Sequence, residues 1–232
     1  MNDLNKYKIY PLSEGAAVID LGSSISPTLN NKILSMQQWL RLHPFRGLKD
    51  VVVAYSSLTV LFDPFIIYNG RNTVFESVSE QLEVCFHSSG NEPVAAPRQL
   101  SVPVCYELGY DLEELAEAKG LTVEEIVRIH CSVSYRVYML GFLPGFAYMG
   151  IVDNRIAAPR RAVPRTNVEA GSVGIAGSQT GIYPLNSPGG WQIIGRTPLR
   201  LFDANASEPA LFSPGDEVRF YSISLNQFQS WH

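Results

Sequence analysis

Apolar residues recur at two different periods in the first half of this chain, and the periods alternate. Tyr7 and Ile9 open a strand-like run, and Ala16–Leu21 forms a second after a turn at Ser13-Glu14-Gly15. Ser26-Pro27 then reads as an N-cap with proline at the first helical position, and Leu29, Ile33, Met36 and Leu40 follow at helical spacing. Val51–Tyr55 and Leu58–Phe62 are β-rich runs separated by Ser56-Ser57, and Asp63-Pro64 breaks the second. Thr73 and Glu76 form a capping box ahead of a helix with Val74, Val78, Leu82 and Cys85 on one stripe. Gly90–Pro97 reads as a linker. Leu100–Tyr106 reads as a strand whose Pro103 confines it to an edge or an end. The resulting order, β-β-α-β-β-α-β, predicts a small α+β domain with helices on one sheet face.

Two short helices come next. Asp111–Lys119 carries Leu112, Leu115 and Ala116 on one face, and Thr122 with Glu125 forms a second capping box ahead of Val123, Ile126 and Val127. From about Tyr135 helical periodicity disappears. Ten of the 18 glycines lie between Gly141 and Gly195, and six of the 15 prolines between Pro144 and Pro198. Such density breaks helices and favours short strands joined by turns, so a β-barrel or sandwich is expected.

The 232 residues suffice for two small domains, and with 46% hydrophobic and 17% charged residues the chain is of globular composition. A net charge of −4 without a basic run gives no reason to expect nucleic acid. There is no apolar run of membrane-spanning length, and the polar start MNDLNKYKIYPLSEG lacks the apolar core of a secretory signal. Cys85, Cys105 and Cys131 are odd in number and far apart, so neither a disulfide framework nor a structural zinc site is expected, and the cytoplasm is the default compartment.

Two features carry candidate chemistry. His130 shares the inward face of Ile126 and Val127 and immediately precedes the glycine-rich half. It could serve as general base or hydrogen-bond donor, or it could be a core histidine satisfied by the backbone. No acidic or histidine partners stand at metal-ligand spacing, so no metal is expected. Between residues 155 and 200 there are six arginines (Arg155, Arg160, Arg161, Arg165, Arg196, Arg200), no lysine, and Glu169 as the one acid. Guanidinium forks suit carboxylates and phosphates, so the window fits an anionic small molecule; the alternative is ion pairing with the acidic stretch Glu107–Glu125. The run Gly171–Gly177 fits neither nucleotide-binding glycine pattern, and Ser172 and Ser178 lack the nucleophile elbow.

Long segments occur in a fixed order: His130-Cys131-Ser132, Tyr135–Tyr138, GFLPGFAYMG at 141–150, PRRAVPRT at 159–166, AGSVGIAGSQTGIYP at 170–184 and SPGGWQIIGRTP at 187–198. They resemble the family known as the 5-oxoprolinase B subunit, allophanate hydrolase subunit 1 or sporulation-kinase inhibitor, with a related module in urea carboxylase. One departure is Glu169, where the family usually has proline.

The resemblance implies an α+β chain: a ferredoxin-like domain at 1–95 followed by a cyclophilin-like β-barrel at 96–232. It implies a larger partner of the 5-oxoprolinase C subunit or allophanate hydrolase subunit 2 family, together with an A subunit. It also implies ATP-dependent hydrolysis of 5-oxo-L-proline to glutamate, with ATP consumed by the complex. Under it, His130 is a catalytic or orienting group, and Arg160, Arg161 and Arg165 hold an anionic group. Gln179, Thr180 and Tyr183 supply hydrogen bonds, and Phe146, Tyr148 and Trp191 shape the pocket. Two other readings are a regulatory binding protein that inhibits a histidine kinase and a component of an allophanate- or urea-type amidohydrolase or biotin-dependent carboxyltransferase. The barrel does not imply prolyl isomerase activity, because function resides in sites rather than folds.

Overall fold

A computed structural model describes residues 6–90 and 96–231. The chain divides into two compact units, Met1–Ala96 and Pro97–His232. Part of the expected linker, 91–95, and the terminal His232 lie outside the described residues.

The first unit contains strands β1 (Lys8–Ser13), β2 (Ala16–Asp20), β3 (Leu48–Val53) and β4 (Ser57–Phe62), and helices α1 (Pro27–Leu42), α2 (Pro64–Ile67) and α3 (Val74–Ser88). The sheet runs β1-β2-β4-β3, with every neighbouring pair antiparallel. β2 and β3 therefore run parallel on either side of β4 and are joined through α1, a split β-α-β unit. Ser26 caps α1 by position, and Leu29, Ile33, Met36 and Leu40 are buried as their spacing predicts. The Thr73–Glu76 capping box forms in full at α3. Its Val78, Leu82, Cys85 and Phe86 meet the α1 stripe and the alternate residues Leu58, Val60 and Phe62 of β4 in one core. The short α2, where the sequence pattern shows only a break, starts because the Asp63 carboxylate accepts the Phe65 N–H and Pro64 occupies the first turn.

The second unit holds β5 (Gln99–Val104), α4 (Leu112–Lys119), α5 (Val123–Cys131), β6 (Ser134–Leu140), β7 (Ala147–Gly150), β8 (Arg165–Val168), β9 (Ser172–Ala176), β10 (Gln179–Ile182), β11 (Ser187–Gly189), β12 (Gln192–Arg196), β13 (Glu217–Ser222) and α6 (Leu225–Gln229). Seven strands form one sheet in the order β12-β9-β10-β7-β6-β13-β5, and β8 pairs with β11. β5, which the strand–helix pattern appends to the first domain, instead pairs in parallel with β13 here, and Pro103 sits on this edge strand. The sheet curls into a half-barrel, consistent with a cyclophilin-like fold. Its two ends meet at one bridge: Cys105 N donates to Arg196 O at 2.8 Å, and Arg196 N donates to Cys105 O at 3.0 Å. That approach requires Gly195, since a Cβ there would lie 2.6 Å from Val104 Cγ1 and 3.1 Å from the Cys105 carbonyl. Helices α4 and α5 supply Leu112, Leu115, Ala116, Ile126 and Ile129 to the core that fills the curl.

Candidate functional site

The expected site residues lie on two faces of the sheet. Side chains alternate along a strand. On β10, Thr180 and Ile182 point to the core side, where Thr180 meets His130. Gly181 and Tyr183 point the other way, into an aromatic cluster with Phe146, Tyr148 and Trp191. Gln179 shares the aromatic face by this register. His130 therefore does not meet the arginines.

His130 is fully buried at the end of α5, between Tyr106, Tyr135 and Phe220, with its ring stacked on Phe220 at 4.6 Å. Thr180 Oγ1 donates to Gly174 O at 3.0 Å, so it can only accept from His130, 3.1 Å away. The proton is thus on Nε2, and Nδ1 accepts from the Tyr106 hydroxyl at 2.7 Å. With its own proton committed, Tyr106 accepts from Cys131 Sγ–H at 3.3 Å. One unidirectional chain runs Cys131–Tyr106–His130–Thr180–Gly174. Burial drives the His130 pKa down to about 3, so the imidazole is neutral. The same burial raises the Tyr106 hydroxyl well above its ordinary value, with the neighbouring thiol adding to the effect.

The aromatic face is built on glycine. A Cβ on Gly181 would lie 2.9 Å from Ala147 O and 3.1 Å from both Phe146 and Trp191, so the absent side chain lets the rings seat against the strand. Phe146 meets Tyr148, Tyr183 and Trp191 edge-on at 4.9, 5.3 and 5.4 Å between centroids. Phe142, in the loop between β6 and β7, covers Phe146 at 5.5 Å and adopts a left-handed φ of 69°.

The segment 158–166 runs beside this cluster, tied down by Arg161 N to Gly190 O at 2.7 Å and by Gln192 Nε2 to Pro159 O at 3.1 Å. Two of its arginines converge on a residue that the sequence pattern does not single out. Asp111 is 1% exposed. It receives Arg161 Nη1 at 2.6 Å, Arg165 Nη1 and Nη2 at 2.8 and 2.5 Å, and the backbone N–H of Ile193 at 2.7 Å. Arg161 also reaches Glu114 at 3.5 Å. Arg165 lies over the Tyr110 ring at 5.5 Å. The alternative of ion pairing with the Glu107–Glu125 stretch thus accounts for two of the three central arginines. Arg160 is exposed and, among the described residues, pairs with no acid; burial raises the phenol pKa values of Tyr148 and Tyr183, and the Arg160 charge partly opposes that rise. The outer arginines are paired separately: Arg155 with Asp153 at 2.7 Å, Arg200 with Asp203 at 3.0 Å, and Arg196 with Glu169. Glu169 therefore leaves the potential around Arg160 intact.

Asp111 is legible in the sequence only as the residue before a short helix, where aspartate ordinarily caps. The run Gly171–Gly177 contributes the fully buried strand β9. Among the described residues no cluster of three or more His, Cys, Asp or Glu could hold a metal ion. A separate apolar groove of about 610 Å³ in the first unit, lined by Pro11, Phe62, Phe65, Tyr68, Val74 and Phe75 among others, holds none of these site residues.

The carboxyltransferase domain, subdomain C and D, matches residues 7–212. The chain is similar to the 5-oxoprolinase B subunit of Bacillus subtilis (strain 168), 40% identical in an alignment that covers 97% of each chain. Among solved structures, TTHA0988 superposes with a TM-score of 0.78 at 35% identity, covering 90% of this chain and 40% of that longer one. The urea amidolyase of K. lactis shares the fold, with a TM-score of 0.80 at 17% identity over 99% of this chain and 15% of that one.

Proposed function

This chain belongs to the 5-oxoprolinase B-subunit family, and on that premise we propose that it is the smaller subunit of an ATP-dependent hydrolase that opens 5-oxo-L-proline to L-glutamate. The observation that carries the reading is the 40% identity over 97% of both chains. The site supports it chemically. 5-Oxo-L-proline is a small, flat lactam bearing one carboxylate. A wall of edge-packed aromatics beside a net-positive arginine segment suits a flat ring with one negative charge. In this reading Arg160, Arg161 and Arg165 supply the positive potential, Gln179 a hydrogen bond at the rim and the half-buried Tyr148 the face toward the ring, while the buried Phe146, Trp191 and Tyr183 back that wall.

His130 and Thr180 act from beneath. A neutral imidazole with both nitrogens committed is a poor base for a substrate on the opposite face, and we assign it an orienting role that fixes β10. ATP is consumed by the complex. Because the glycine-rich run is a buried strand, we assign the nucleotide to another subunit of that complex. The partners are a larger protein of the C-subunit family and an A subunit, and the compartment is the cytoplasm. We read the chain as two domains, 1–95 and 96–232. The split β-α-β unit supports a ferredoxin-like layout for the first.

The test is ATP-dependent release of glutamate from 5-oxo-L-proline by the co-expressed subunits, with this chain present and then omitted. Activity that vanishes on omission is expected. An intact, folded complex without turnover rejects the reading, and turnover that depends on biotin assigns the chain to a carboxyltransferase instead.

A further inference from the structure

We infer that Asp111 is the positioning residue of the basic site: it immobilises Arg161 and Arg165 as scaffold and leaves Arg160 as the arginine that takes the carboxylate of the substrate. The inference rests on the oxoprolinase reading for the identity of that substrate. It stands on three features of the structure.

The first is a diverted cap. Asp111 occupies the N-cap position of α4, yet its side chain makes no capping hydrogen bond. It turns into the protein and receives three guanidinium contacts and one backbone N–H. The helix forgoes the stabilisation that an aspartate cap ordinarily supplies.

The second is saturation. The carboxylate holds Arg165 with two prongs, Arg161 with one and the Ile193 N–H with the last of its four acceptor sites, so it cannot accept from a third arginine as well. Glu114, 3.5 Å from Arg161, supplies a second negative charge, so Arg161 and Arg165 are balanced and the uncompensated positive charge of the segment is that of Arg160. Arg161 leaves its Nε buried with no acceptor among the described residues. A guanidinium placed for its own satisfaction would not do so; its position is set by Asp111.

The third is coupling. The same carboxylate binds Ile193 N on β12, two residues beyond Trp191. One buried group therefore fixes the arginine segment relative to the aromatic wall. Arg160 remains exposed, with its charge felt at Tyr148 and Tyr183.

The experiment is steady-state kinetics on the reconstituted complex, with the KM for ATP as internal control. Arg160→Gln, at an exposed position, is expected to raise the KM for 5-oxo-L-proline about tenfold or more, with kcat within about threefold and the ATP KM unmoved. Asp111→Asn is expected to raise the same KM by displacing the arginine segment. An Asp111→Asn complex that melts at the parental temperature and keeps the parental KM overturns the positioning role, and an unchanged KM in Arg160→Gln overturns the assignment of the carboxylate contact. If Asp111→Asn does not assemble, Arg165→Lys replaces it: the charge stays, the two-pronged contact is lost, and a parental KM again overturns the role. If the parental complex itself releases no glutamate, the oxoprolinase reading has failed, and the site is tested on the full chain by backbone amide shifts of Tyr148, Arg160 and Arg161 during titration with 5-oxo-L-proline and with inorganic phosphate. Saturable shifts that Arg160→Gln abolishes support an anion site; no shift with either ligand overturns it.

Discussion

His130 should make this protein acid-sensitive in a way that one substitution removes. In the folded chain burial holds its pKa at about 3. In the unfolded chain the imidazole titrates at about 6.5. Between those values the unfolded state binds a proton that the folded state excludes, so stability rises with pH through the window and is fully present above about 6.5. The slope is about 1.4 kcal/mol per pH unit, so lowering the pH from 6.5 to 5 removes roughly 2 kcal/mol through this residue. The full span down to pH 3 would be roughly 5 kcal/mol, an order-of-magnitude figure. His130→Gln deletes the titration. At pH 7.5 the variant is expected to be less stable by about 2–4 kcal/mol, because it loses the stacking on Phe220 and disturbs the partners at Tyr106 and Thr180. Since only the wild type loses stability through this group as pH falls, the gap between the two should narrow by roughly 2 kcal/mol at pH 5. Urea unfolding at half-unit steps from pH 7.5 to 5 measures it, with all other titrations common to both proteins. Parallel curves would refute the buried, neutral imidazole and, with it, the orienting role.

Other consequences can be checked by simpler means. Gly181→Ala places a methyl 2.9 Å from Ala147 O and 3.1 Å from Phe146 and Trp191, so a loss of about 1–3 kcal/mol is expected, with a shift in tryptophan emission. Tyr106→Phe removes the donor to His130 Nδ1 and the acceptor for Cys131; a loss of about 1–3 kcal/mol in denaturant unfolding is expected. Thr73→Ala removes the α3 capping box and should cost about 1 kcal/mol in thermal unfolding while leaving turnover of the folded complex unchanged.

The helical half of the chain was largely legible because its signals are local. Ser26-Pro27, the two capping boxes and the apolar stripes of α1, α3, α4 and α5 act within a few residues, and the structure uses them where the pattern placed them. The barrel half was legible as class alone. Its glycines announced close approaches, but not that Gly195 admits the closing bridge to Cys105 or that Gly181 seats two aromatic rings. The site residues were partly legible by type. The arginine excess and the aromatics stood out in composition, and His130 stood out by its face on α5.

Tertiary structure decided what those residues do, because charge and burial depend on partners distant in sequence. Asp111 lies 50 positions from Arg161, and no local signal separates a capping aspartate from one that abandons its helix for two guanidinium groups. The period of a strand placed Thr180 and Tyr183 on opposite faces, but only the filled core showed that His130 belongs to the Thr180 side and the arginines to the other. The amino-acid sequence by itself determined the helices α1, α3, α4 and α5, two capping boxes and the family; the curl of the sheet determined which side chains share a face, because hydrogen bonds and desolvation act across space and not along the chain.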